Sequence, residues 1–141
     1  HTSGLGHVYQ QRYKSFPIQD DYHFFVVCRY VERNALRADL VDRAENWRWG
    51  SLWRWRQQPE PDPKLLSPWP LPRLRNWVER VNEPLSKKEL DAVRLAANRG
   101  RPLGDEAWVE SIARRLNLES TMRPRGRPRV RFPDDESNKE T

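Results

Sequence analysis

The chain has 141 residues, with 26 Lys+Arg against 20 Asp+Glu, 12 Pro, seven Trp and a single Cys. One cysteine excludes an intrachain disulfide framework, and the longest apolar run, Phe24–Cys28, falls far short of the roughly 20 residues that span a bilayer. Leu, Ile, Val and Phe supply only 30 of the 141 residues and mean hydropathy is −1.01, so any core is small and draws on the tryptophans. No signal-peptide pattern opens the chain, and a soluble intracellular protein is expected. A net charge of +6 and a pI of about 9.9 point toward nucleic acid.

Residues 1–18 read as a loop and a short strand, with β-leaning Val8, Tyr9, Tyr13, Phe16 and Ile18. Asp20 and Asp21 then offer an N-cap and first-turn charge for a helix over about Tyr22–Asn34. At 100° per residue Phe24, Cys28 and Val31 fall on one side of it, expected to face the core, while His23, Tyr30, Asn34 and Arg37 fall on another, polar side. The stretch WRWGSLWRWR, residues 47–56, alternates aromatic and cation. Such alternation suits base stacking with backbone contacts; the plainer reading, preferred for Trp47 and Trp49, is that they seal the core. For Trp53 and Trp55 both readings stay open.

Six prolines between Pro59 and Pro72 block helix and sheet alike, so residues 59–72 read as an extended linker and a domain boundary. Past it, Leu74, Trp77, Val78 and Val81 mark a short helix ending near Pro84. Ser86 with Glu89 forms a capping-box pattern that opens a helix to about Asn98. Asp105-Glu106 opens another, carrying Trp108, Ile112 and Leu116 at i, i+4, i+8. The pair, joined by Arg99–Gly104, fits either a helix-turn-helix or a simple packed hairpin. Residues 121–131 hold five Arg and no acid; residues 132–141 reverse sign, which reads as a disordered, charge-patterned tail. Arg-Gly-Arg-Pro occurs at 99–102 and again at 125–128. The second copy resembles the core of an AT-hook, in which arginine is drawn into a narrow minor groove. A turn for the first copy and a phosphate-binding tail for the second is the alternative.

GHVYQQRYKSFPIQDD, RYVERNALRADLV and AENWRWGSL, in this order within Gly6–Leu52, resemble the REP-associated tyrosine transposases of the single-tyrosine HUH superfamily. RGRPLGDEAWV and the closing RPRGRPR look like C-terminal extensions of that group. The resemblance implies an α+β chain: the last strand and catalytic helix of a ferredoxin-like domain over 1–58, the linker 59–72, a mainly α-helical extension over 73–120 that is a candidate for DNA binding, and the tail 121–141. It implies DNA transposition by cleavage and joining of single-stranded or hairpin DNA through a 5′-phosphotyrosine bond, in a cytoplasmic, nucleoid-associated protein, monomer or homodimer.

By position in RYVERN, Tyr30 matches the nucleophile and Asn34 the side chain that lends an oxygen to Mg²⁺ or Mn²⁺. Spacing agrees, since residues i and i+4 of a helix face the same way. Arg12, Arg33 and Arg37, and in the tail Arg123, Arg125, Arg127 and Arg129, are candidate DNA contacts by charge and proximity. The plain reading of Tyr30 is a half-buried helix tyrosine. The family's remaining metal ligands are a His-x-His pair, and the histidines here are His1, His7 and His23. His23 could approach a metal or simply be a hydrogen-bonded surface residue. The pair is therefore expected upstream, making this the C-terminal portion of a transposase that is inactive by itself. The rival function is a non-enzymatic DNA-binding remnant or regulator at palindromic repeats.

Overall fold

The computed structural model describes residues 14–57 and 59–123, and these are mainly helical. Helix α1 spans Asp21–Glu32, α2 Asn34–Arg37, α3 Ser51–Arg56, α4 Trp77–Asn82, α5 Lys87–Arg99 and α6 Glu106–Arg115, with 3-10 turns at Ala44–Asn46 and Glu119–Thr121. The expected strand lies mostly outside the described residues. Among the described residues there is no strand, and Ile18 makes only an isolated parallel bridge with Leu103. Gln19 N–H donates to the Leu103 carbonyl at 3.0 Å, and Leu103 N–H to that of Pro17 at 2.8 Å. The chain before α1 is thus stapled to the connection between α5 and α6.

Local chemistry sets the helix ends. The Asp20 carboxylate accepts from the His23 N–H at 3.0 Å, the N-cap read from sequence. Ser86 and Glu89 complete the capping box reciprocally, at 3.2 Å and 2.7 Å. Helix α5 stops at Gly100, whose φ of +68° is left-handed, the conformation that glycine adopts without steric cost. The first Arg-Gly-Arg-Pro copy is therefore a helix-ending turn with Pro102 and Leu103 buried. The helix expected to reach Asn34 breaks at Arg33 and restarts as α2. Asp39 closes α2 at φ +54°, with Leu40 N–H reaching back to Ala35 and Asp39 N–H to Leu36, a Schellman ending.

Helix α1 is shared by two cores. On one side Val26 meets Val93, Ala96 and Leu103, with Phe16, Tyr30 and Leu85 packed against them. On the other, Phe25, Cys28 and Leu36 border Ala44, Leu52, Trp77 and Val81. Val31, expected in the core, is 59% exposed. The apolar positions of α1 straddle two faces, so a single stripe misplaces it.

The segment 59–72 carries neither helix nor strand among its described residues, as its prolines dictate. It is nevertheless anchored. Arg54 donates to the carbonyls of Pro61 and Pro63 at 2.8 and 2.9 Å, and the Glu60 carboxylate accepts from the Leu65 and Leu66 N–H groups. Trp69 packs edge-on to Phe24 and Trp77, at centroid separations of 5.5 and 5.2 Å. The residues on either side of the proline-rich segment therefore share a core, filled in part by a side chain from the segment itself.

Candidate functional site

Three arginines, Arg29, Arg33 and Arg37, recur every four residues along the end of α1 and through α2. Like charges at this spacing repel, by a few tenths of a kcal/mol per pair. The fold offsets this by facing two of them with the carbonyl end of another helix. Arg29 donates from Nε to the Arg80 carbonyl at 2.9 Å and from Nη2 to that of Glu83 at 3.2 Å. Arg33 donates from Nη1 to the carbonyls of Val81, at 3.3 Å, and Asn82. These are the orphan carbonyls at the end of α4, where the helix dipole favours cations. Burial, with Arg29 and Arg37 close by, lowers the pKa of the Arg33 guanidinium. Arg33, a candidate phosphate contact from sequence, is committed to α4.

Arg37 engages Tyr30 and Asn34 instead. Its guanidinium carbon lies 4.6 Å from the Tyr30 ring centroid. Its Nη2 donates to Oδ1 of Asn34 at 2.6 Å. One cation therefore joins the two residues that the sequence singled out, over the phenol ring and hydrogen-bonded to the amide. Tyr30 is half-buried and, with Arg33, Arg37 and Leu85, lines a hollow of about 150 Å³. Asn34 is exposed and lines a different groove, beside Trp47 and Trp49. The junction of α1 and α2 at Arg33 lies between them.

Of the other candidates, Arg123 is exposed at the last described position. Arg12, Arg125, Arg127 and Arg129 lie outside the described residues, as does the second Arg-Gly-Arg-Pro. His23 Nδ1 is 2.7 Å from Asp20 Oδ1 and its ring meets that of Tyr22 edge-on, so it is engaged at the start of α1. Among the described residues no three His, Cys, Asp or Glu side chains stand together as a metal site. Asn34 contributes one oxygen, already facing a guanidinium, so the residues described here do not by themselves fit Mg²⁺ or Mn²⁺.

Sequence reasoning missed Glu32, which sits in the same RYVERN motif. Its side chain is 3% exposed, with Arg73 Nη2 3.7 Å from Oε1. Trp77 Nε1 donates to Oε2 at 2.7 Å and the Ser51 hydroxyl to Oε1 at 3.0 Å. Arg73 in turn lies between Trp69 and Trp55, 3.9 and 4.3 Å from their ring centroids. This ion pair ties the end of α1 to α3, α4 and the proline-rich segment. The signal was present: Glu32 follows Phe25 and Cys28 at i+7 and i+4, on an apolar face where a carboxylate needs a partner. Burial, then Glu32, pushes the Cys28 thiol up to about 11, which leaves it unreactive. Trp49, expected to seal the core, is 73% exposed instead. No protein-family model, curated protein or solved structure matches the chain.

Proposed function

We propose that the chain takes part in tyrosine-transposase chemistry, the cutting and rejoining of single-stranded or hairpin-ended DNA, with Tyr30 as nucleophile. The observation that carries the reading is the Tyr30–Arg37–Asn34 contact, which sets a guanidinium against a partly exposed phenol at the end of a helix. In this reading Oη of Tyr30 attacks phosphorus as its proton passes to solvent water, the bond from phosphorus to the 3′ oxygen breaks, and that oxygen takes a proton from water, leaving a 5′-phosphotyrosine and a free 3′-hydroxyl. Arg37 draws the scissile phosphate to the phenol and offsets charge building on its oxygens. Arg29 and Arg33 hold the Tyr30 turn by their grip on α4.

The test uses a strand whose leaving group needs no proton. A hairpin-ended strand with sulfur replacing the bridging 3′ oxygen has a leaving group that departs as thiolate without a proton. Incubated with the chain and Mn²⁺, it should yield a protein–DNA band on a denaturing gel that is absent with Tyr30→Phe. An adduct that persists in Tyr30→Phe contradicts the reading. DNA binding without any adduct favours the non-enzymatic regulator.

A further inference from the structure

The groove that Asn34 lines has a built feature the chemistry at Tyr30 does not use. Between the 3-10 turn Ala44–Asn46 and α3 the chain reverses at Trp47–Gly50, where Gly50 N–H donates to the Trp47 carbonyl at 2.9 Å. This closure makes Arg48 and Trp49 the two corner residues of a β-turn. The corner is tight: a Cβ on Gly50 would lie 3.1 Å from Cδ1 of Trp47. Helix α3 begins at the next residue, so the backbone beneath Trp49 is held on both sides.

Six of the seven tryptophans are buried or half-buried, as a chain short of apolar residues requires. Trp49 is the exception, at 73% exposed. The Arg48 guanidinium carbon lies 4.6 Å from its ring centroid. With Trp47, Val31, Leu40 and Asn34, it lines a groove of about 360 Å³. Val31 and Leu40, 59% and 61% exposed, supply apolar walls, and Asn34 an amide able to read a base edge.

The geometry points to an unpaired nucleobase of single-stranded DNA as the occupant, stacked on Trp49 beside Asn34, next to the phosphate that Tyr30 attacks. The partner's identity as DNA rests on the transposase reading above. The groove itself favours a base over a protein partner. A specific protein interface buries about 800 Å² per side, whereas the exposed large apolar residues lining this groove are Val31, Leu40 and Trp49. A single base needs less: one aromatic face, a cation near its phosphate and a hydrogen-bonding group at its edge.

Binding of a labelled hairpin-ended strand, followed by anisotropy, tests this without any chemistry at Tyr30. Trp49→Ala should bind about tenfold more weakly, and Trp49→Phe should recover most of the loss. An abasic nucleotide beside the cleavage position should cost the parent about the same tenfold and Trp49→Ala nothing further. Because Trp49 is exposed, thermal unfolding of Trp49→Ala should match the parent. Equal affinity of Trp49→Ala and parent overturns the inference, as does an abasic penalty that persists undiminished in Trp49→Ala. Tighter binding of an RNA strand of the same sequence overturns DNA as the occupant. Trp49-dependent binding of the strand without a Tyr30 adduct sustains the groove and overturns the transposase reading instead.

Discussion

Helix α1 carries a tyrosine near each end, and the two have surroundings of opposite sign. Tyr22 donates its hydroxyl to the Glu89 carboxylate at 3.0 Å, with Asp20 nearby. That hydrogen bond, then burial, raises the pKa of the Tyr22 phenol, holding it protonated. Tyr30, two turns on, has the Arg37 guanidinium over its ring and Arg33 in the same hollow. A phenol that donates to a carboxylate is engaged by it, whereas a guanidinium beside a phenol is placed to meet a phosphate. The residue type is the same at both positions. The partners that the fold brings in make one a structural hydrogen-bond donor and the other a candidate for attack on phosphate.

The contrast depends on α1 staying locked, and the lock is Glu32. Glu32→Ala should cost about 3–5 kcal/mol in denaturant unfolding, because it strands the buried Arg73 and unpairs Trp77 Nε1. Arg73 already has one buried nitrogen, Nη1, without a hydrogen-bond partner among the described residues, so it has little compensation in reserve. A loss below about 1 kcal/mol would mean that the end of α1 is held by packing alone.

Arg37→Ala should lower adduct formation on the 3′-thio strand by about 100-fold, while changing stability by less than about 1 kcal/mol. At the other end of the helix, Glu89→Gln should leave adduct formation as it was. Equal effects from the two substitutions would erase the contrast between the ends.

Glu89 should instead show itself in acid. Burial raises its pKa, but hydrogen bonds from Ser86 and Tyr22, with Arg29 nearby, outweigh burial and lower it overall. A carboxyl depressed in the folded state contributes stability above its unfolded pKa, about 4.3, and loses it as pH falls through the folded value. The parent should therefore lose stability below about pH 4.3, and Glu89→Gln should flatten that limb of a urea-unfolding series. The smallest expected effect is a gain. Asp39 holds φ +54°, so Asp39→Gly should raise stability by a few tenths of a kcal/mol up to about 1, read as a higher unfolding midpoint.

Patterns confined to a few neighbouring residues were legible in the sequence. The Asp20 cap, the Ser86–Glu89 box and the helix over Trp77–Asn82 all follow from local hydrogen bonding and helical period. What crosses the chain was not. Nothing near Trp69 says that it fills a gap between Phe24 and Trp77, because proline spacing predicts only an extended backbone. Arg33 reads as a free cation until α4 presents its carbonyls. Trp49 reads as core because aromatic content does not reveal that a turn closes beneath it. In the candidate site the pair Tyr30 and Asn34 was visible from the motif, whereas the cation that links them had charge alone to mark it, and the buried Glu32 only its place on the apolar face of Phe25 and Cys28.

The most direct measurement maps the DNA-linked residue. After reaction with the 3′-thio strand, the adduct is digested with nuclease and protease and the peptides are sequenced by mass spectrometry. The account predicts a residual nucleotide on Tyr30, with the peptide containing Tyr22 unmodified. A nucleotide on Tyr22, or on any residue other than Tyr30, would contradict it.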